Sequence, residues 1–257
     1  MADRPAPRPQ KIRLDECVVA RGLAESRSRA RSLIMAGKVH VGERRVDKPG
    51  TPVAPDADIR LARPDHPWAS RGGLKLAAAL DHFALNVNGC VALDLGASTG
   101  GFTDVLLARG AACVHAVDVG YGQLHWRLRQ DARVIVHDRT HVRDLTADSL
   151  SSPPQVITAD LSFIGLQVAL PVALALAAPG ALLVALIKPQ FEVGPGRVGK
   201  GGIVRDPALH EEVKARLCTW LEQDMGWAVI GVMASPVTGA DGNREFLVAA
   251  RKAASAA

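Results

Sequence analysis

Aromatic residues make up only 4% of this 257-residue chain, and Trp68 is the only one within the first 75 positions. That stretch therefore has no aromatic platforms for stacking flat ligands. There are four cysteines, Cys17, Cys90, Cys113 and Cys218, with no CxxC pair among them. Their scatter argues against a zinc site or a disulfide framework, and it suits a reducing compartment; no metal is expected and a cytoplasmic location is. The opening MADRPAPRPQK is basic but no apolar core follows it, which excludes a signal peptide or membrane anchor and leaves residues 1–10 as a flexible basic tail. One uncharged run, Val168 to Ile187, is long enough on paper to cross a bilayer. Pro179-Gly180 divides it into an Ala-rich helical part, Leu166 to Ala178, and a strand-like part, Ala181 to Ile187, so it reads as a buried helix feeding the fifth, central strand of a sheet, with no membrane partner.

Charge is unevenly placed. Residues 1–75 hold sixteen Lys and Arg against nine Asp and Glu, whereas residues 76–257 hold fifteen against seventeen. A basic module thus precedes a near-neutral one, which suits a polyanion held by the first part and acted on by the second.

The near-neutral part contains LDLGASTGGFTD, Leu93 to Asp104. Strand residues Val91 to Leu95 carry Asp94 to the carboxyl edge of a parallel sheet, and Gly96, Gly100 and Gly101 let the backbone approach a ligand before a helix over Phe102 to Arg109. The spacing is neither GxGxxG nor a loop ending in GK[ST], so no pyrophosphate or triphosphate cradle is offered. An adenosyl cofactor without phosphates fits better, namely S-adenosylmethionine. A second buried strand ends at Asp118, about twenty residues on, where such folds grip ribose hydroxyls. A third, Val134 to Val136, ends at His137 and Asp138, and a fourth, Gln155 to Thr158, ends at Ala159 and Asp160. Ser98, Thr99 and Gly100 are expected at the methionine end of the cofactor, Asp118 at the ribose and Asp138 at the adenine amine, with Asp94 organising the loop. Asp138 could instead be a turn or capping residue, or be tied to Arg139.

In the basic part the pattern is a helix over Leu14 to Arg21, a turn at Gly22, and Ser26 as N-cap of a helix over Arg27 to Ala36 closed by Gly37. Ala30, Leu33 and Ile34 share one helix face, and Arg27 and Arg31 lie a turn apart on another. Short strands follow, with Val39, Val41 and Val46 inward and a turn at Gly42. Arg27, Arg31, Lys38, Arg44, Arg45 and Lys48 form the candidate phosphate-binding set. The run SRSRARSLIMAGKVHVGERRVDKP resembles the S-four-type RNA-binding domain, named from a small-subunit ribosomal protein. With no aromatic platform beside it, recognition by shape and phosphate is expected.

Four further motifs, SRGGLKL (Ser70 to Leu76), ADLSFI (Ala159 to Ile164), LIKPQFE (Leu186 to Glu192) and GNREF (Gly242 to Phe246), complete a pattern that resembles the TlyA family across nearly the whole chain. Its members are ribosomal RNA 2′-O-methyltransferases with an FtsJ-like catalytic domain, some once labelled haemolysins. The resemblance implies an α/β protein: a Rossmann-like methyltransferase domain with a seven-stranded, mostly parallel sheet over 71–252, a linker at 63–70, and a small α+β S-four-like domain over 11–62. It also implies a Lys-Asp-Lys-Glu catalytic set at Lys75, Asp160, Lys188 and Glu245. Those residues follow or precede predicted elements so that all four can converge at the carboxyl edge of the sheet. A ribose hydroxyl is a poor nucleophile until its proton leaves, and only a neutral amine can take that proton, a state that a second nearby cation favours. Lys188 is expected to deprotonate the hydroxyl, Asp160 to position it, and Lys75 and Glu245 to hold the ribose and balance charge.

The implied function is methylation of cytidine riboses in ribosomal RNA, with ribosomal subunits as partners. The short stretch after the last expected strand, Phe246 to Ala250, points to large-subunit RNA. Two other readings are an RNA-binding assembly factor with little turnover, which the intact catalytic set argues against, and a membrane-active protein, which the proline-split apolar run argues against. The Gly-rich stretch 192–206 reads either as a mobile loop closing over the site or as a plain surface connection.

Overall fold

The computed structural model describes residues 11–62, 66–194, 196–239 and 242–254, and the expected basic tail at 1–10 lies outside them. The chain divides into two compact units, residues 1–65 and 66–257.

In the first unit, β1 (Ile12–Arg13) leads into α1 (Leu14–Ala20) and α2 (Arg27–Met35), followed by β2 (Val39–Val41), β3 (Arg44–Val46), β4 (Pro52–Val53) and β5 (Ile59–Leu61). The Ser26 hydroxyl accepts from the Arg29 amide at 3.2 Å and so caps α2, as the sequence predicts. β2 lies between β3 and β5, antiparallel to both, while β1 pairs with β4. Leu14, Val18, Ala30, Ile34 and Val39 are fully buried, and Val41 and Val46 pack against them in part.

The second unit begins with α3 (Gly72–His82) and alternates strands and helices: β6 (Val91–Leu95), α4 (Gly101–Ala108), β7 (Cys113–Asp118), α5 (Trp126–Arg129), β8 (Val134–Asp138), β9 (Val156–Ala159), α6 (Leu166–Ala169), α7 (Pro171–Leu176), β10 (Leu182–Ile187), α8 (Pro189–Glu192), α9 (Pro207–Gln223), β11 (Trp227–Ala234) and β12 (Phe246–Lys252). The strands form one seven-stranded sheet in the order β11-β12-β10-β9-β6-β7-β8, with only β12 antiparallel to its neighbours. Alternate residues enter opposite faces. Leu93, Leu95, Ile157, Leu183 and Ala185 pack towards α6, α7 and α9, whereas Ala92, Val114, Val156, Val184 and Leu186 pack towards α3 and α4. Every residue of β10 is buried, the pattern of a strand covered on both faces.

Two expectations need correction. β10 is interior but not central, because β9 takes the middle place of the seven strands. The helix expected over Leu166 to Ala178 is two short helices, since Pro171 has no amide proton and its ring cannot sit inside a continuous helix. Of the expected linker at 63–70, residues 63–65 lie outside the described residues. Trp68 and Ala69 pack against the α3–α4 core, and the Ala69 amide donates to the Asp104 carboxylate at 2.8 Å. No helix among the described residues is long and apolar enough to cross a membrane.

Candidate active site

The strand order reverses direction between β6 and β9, and the ends of those two strands open the crevice where ligands bind in open α/β sheets. A cleft of about 450 Å³ lies there. Gly96 to Thr99 enter it from β6, Asp160 and Ser162 from β9, Lys188, Gln190 and Phe191 from β10, and Arg71, Gly72 and Lys75 from the start of α3. Glu245 reaches the same edge because β12 runs antiparallel to β10, with Phe246 opposite Ile187.

The four residues that the family resemblance singles out meet as one relay. Lys75 Nζ donates to Glu245 Oε2 at 2.6 Å and stands 3.9 Å from Asp160 Oδ2, while Lys188 Nζ lies 2.6 Å from Asp160 Oδ1. Lys75, Lys188 and Glu245 are all buried, at 8, 9 and 4% exposure, so each charge depends on its neighbours. Two carboxylates therefore compensate two ammonium groups. The repulsion between lysines that the sequence suggests is offset by Glu245 on one side and Asp160 between them. Positioning is the feature this geometry provides most directly.

Ser162 is not among the residues that the sequence singles out, although its hydroxyl accepts from Lys188 Nζ at 2.9 Å. Its neighbour Phe163 is 90% exposed with φ +65°, and its ring contacts Phe191 at 5.1 Å between centroids. Asn243 is a second such residue. Its side-chain oxygen accepts from the Val204 amide at 3.0 Å and its nitrogen donates to the Gly202 carbonyl at 2.9 Å, which ties the described end of the 192–206 stretch to the segment carrying Glu245.

The expected cofactor residues separate into two groups. Gly96, Ser98 and Thr99 line the cleft; Asp94, Gly100, Asp118 and Asp138 do not. Asp94 is fully buried, accepting from Thr103 Oγ1 at 2.6 Å and Thr158 Oγ1 at 2.9 Å, and so it braces β6 against α4 and β9. Burial pushes its carboxyl up to about 6, aided by the charge of Asp160 and opposed by the two threonine hydroxyls. Asp118 accepts from the Ser98 amide at 2.8 Å and the Gly120 amide at 2.7 Å, which shapes the loop. Asp138 pairs with Arg129 at 2.6 Å, not with Arg139, whose guanidinium instead lies over the Tyr121 ring at 4.4 Å. Arg129 reaches it because α5 folds back against β8, a contact that sequence spacing does not reveal.

Packing within the protein also requires glycine at two of the loop positions. At Gly96 (φ +78°) a Cβ would come within 2.6 Å of the Asp160 carbonyl, and at Gly100 (φ +95°) it would strike Leu128 at 2.3 Å and Leu124 at 2.7 Å. Both are needed so that protein can pack on protein. The cleft nevertheless fits the cofactor. Its volume lies in the usual range for small-molecule sites. The amino ends of α3 and α4 both line it without a side-chain cap, a setting that favours a carboxylate such as that of a methionine moiety.

Of the candidate phosphate-binding residues, Arg31, Lys38, Arg44, Arg45 and Lys48 are exposed. Arg27 is exposed as well, but it pairs with Glu16 at 3.1 Å and approaches Asp15 at 3.7 Å, so part of its charge is met within the unit. Arg45 folds its guanidinium across Gly37, filling the space that a side chain there would need.

A mostly parallel sheet with one antiparallel strand in this order, and a glycine loop after its first strand, is the fold of the S-adenosylmethionine-dependent methyltransferases, and the protein is of that class. The FtsJ-like methyltransferase model matches residues 68–252, and the S4 domain model matches residues 12–59. The chain belongs to the FtsJ-like methyltransferase family, and within it to the TlyA branch. It is 46% identical over 240 residues to the 16S/23S rRNA (cytidine-2′-O)-methyltransferase TlyA of Mycobacterium tuberculosis, covering 93% of this chain and 89% of that one. It is 48% identical to Bacillus subtilis YqxC, which carries a provisional rRNA-methyltransferase name, over 93% of this chain and 85% of the other. A solved structure from Streptococcus thermophilus with a provisional hemolysin name superposes with a TM-score of 0.73 at 40% identity, covering 96% of this chain and 90% of that one.

Proposed function

We propose that this protein methylates the ribose 2′-hydroxyl of cytidine in ribosomal RNA, on large-subunit RNA and in principle on small-subunit RNA, with residues 11–62 docking the RNA and residues 71–252 carrying out the transfer. Its partners on this reading are ribosomal subunits, and it works in the cytoplasm where they are assembled. The observation that carries the reading is the Glu245–Lys75–Asp160–Lys188 relay, three of its four members buried, in the cofactor cleft. Relatives named for cytidine 2′-O-methylation support the choice of acceptor.

S-adenosylmethionine, when bound, supplies a methyl carbon made electrophilic by its sulfonium. Ser98, Thr99 and the backbone at Gly96 hold its methionine end, while Asp118 and Asp138 secure the nucleoside side through the loops they organise. Lys188 accepts the proton of the 2′-hydroxyl. Asp160 fixes that amine, and Lys75 with Glu245 holds Asp160 and the ribose in register. Most of the acceleration comes from orientation, since well-placed reactants gain roughly 7–11 kcal/mol from proximity. Arg31, Lys38, Arg44, Arg45 and Lys48, with Arg27 contributing less, bind the RNA backbone.

Tritiated methyl transfer from S-adenosylmethionine to ribosomal subunits from cells lacking the protein tests this directly. Wild type should label cytidine riboses, and Lys188→Ala should not. Equal labelling by both proteins, or label found on bases, would end the reading.

A further inference from the structure

We propose that Ser162 is a positioning residue that sets the direction in which Lys188 faces its substrate, an inference that rests on the methyl-transfer reading above. An amine nitrogen at the end of a lysine has three directions left after its bond to Cε. In this cleft two of them are occupied: Asp160 Oδ1 lies at 2.6 Å and Ser162 Oγ at 2.9 Å. The third direction is the one left for an incoming hydroxyl. In the neutral amine, the two N–H bonds point at Asp160 and Ser162, and the lone pair is left along that third direction. Asp160 alone would leave the amine free to rotate about the Cε–Nζ bond and to present either a lone pair or an N–H. Ser162 removes that freedom.

The local backbone supports the same role. Ser162 sits in the turn that leaves β9, one residue before Phe163, which adopts a left-handed conformation unusual for an aromatic residue. The Phe163 ring rests on Phe191, three residues beyond Lys188. The turn bearing Ser162 and the segment bearing Lys188 are thus joined twice, once by the hydrogen bond and once by the ring contact. Ser162 itself is exposed at the cleft, so its side chain is not part of the packed core and its removal should leave the fold intact.

The test compares wild type with Ser162→Ala and Ser162→Thr under single-turnover and steady-state conditions, with S-adenosylhomocysteine binding and thermal melting followed in parallel. Loss of one orienting hydrogen bond should lower kcat by about tenfold to a hundredfold in Ser162→Ala, the scale expected for misplacing a reacting group. KM for RNA, S-adenosylhomocysteine affinity and the melting temperature should stay at wild-type values. Ser162→Thr keeps the hydroxyl and should recover most of the rate. An unchanged kcat in Ser162→Ala overturns the proposal, and so does a rise in KM alone, which would make Ser162 a substrate-binding group. A threonine variant as slow as alanine would overturn it too. The wild-type reaction is the control: absence of turnover there refutes the methyl-transfer reading, whereas a wild-type rate in Ser162→Ala refutes only the role of Ser162.

Discussion

The two units use the same residue types for opposite purposes. In residues 11–62 the cations stand exposed around a small core, and most leave their charge to the solvent. In residues 66–254 the two lysines of the cleft are buried, each within 2.6 Å of a carboxylate. An exposed cation binds a polyanion by releasing counterions and loses that effect in salt. A buried amine held by carboxylates is screened much less by salt and has a fixed direction. Burial is what separates the two sets of cations.

That contrast can be broken most severely at Lys188. Lys188→Ala should lower single-turnover methyl transfer by about a thousandfold, in the range for loss of a positioned acid or base, with S-adenosylhomocysteine affinity unchanged in calorimetry. The buried pair comes next. Glu245→Gln leaves Lys75 without its nearest carboxylate, and chemical denaturation should show a loss of about 3 kcal/mol. The exposed pair of Arg60 and Asp58, also close in distance, should show no measurable change in Asp58→Asn. Equal effects in the two variants would mean that burial is not what distinguishes them.

Asp94 gives a pH-dependent version of the same comparison. Its carboxyl is raised in the folded protein, so between about pH 4 and pH 6 the native state binds more protons than the unfolded chain and stability falls as pH rises. Keeping Asp94 ionised at neutral pH costs on the order of 3 kcal/mol. Asp94→Asn, which retains an acceptor for Thr103, should flatten the stability profile across that window and raise the unfolding free energy at pH 7 by a part of that amount. A profile identical to wild type would show that Asp94 is ionised without penalty.

The smallest effect is expected in the first unit. Replacing Arg31 and Arg44 together with alanine should reduce the slope of log affinity against log salt by roughly 0.7–0.9 for each phosphate that is no longer neutralised. Cofactor affinity should not move. An unchanged slope would place the RNA-binding cations elsewhere on the unit.

The core strands were legible because apolar runs ending in an acid, as at Val91 to Asp94 and Val114 to Asp118, have few other uses. The clustering of Lys75, Asp160, Lys188 and Glu245 was legible through motifs, and the antiparallel register of β12 explains how residues 170 positions apart in sequence come to share a hydrogen bond. Other parts were not. α9 announces itself only by the Asp206-Pro207 start, an N-cap followed by a proline at the first helical position, and its surface is too polar to stand out. β11 is an edge strand with a bulge between Val229 and Gly231 that disturbs its alternation. The Arg129–Asp138 ion pair could not be read from the sequence, because a strand-end acid looks the same whatever takes up its charge. Ser162 carries no pattern of its own, and its role depends on where the Lys188 chain ends.

Gly100 has the widest consequence for the donor site. Leu124 and Leu128 fill the space beside it, so the curvature of the glycine loop is fixed by side chains packed from outside the cleft. A loop braced in this way has little configurational freedom left to lose when a ligand arrives. The shape of the seat then depends on residues outside the lining of the cleft, and Leu124 and Leu128 act as its buttress.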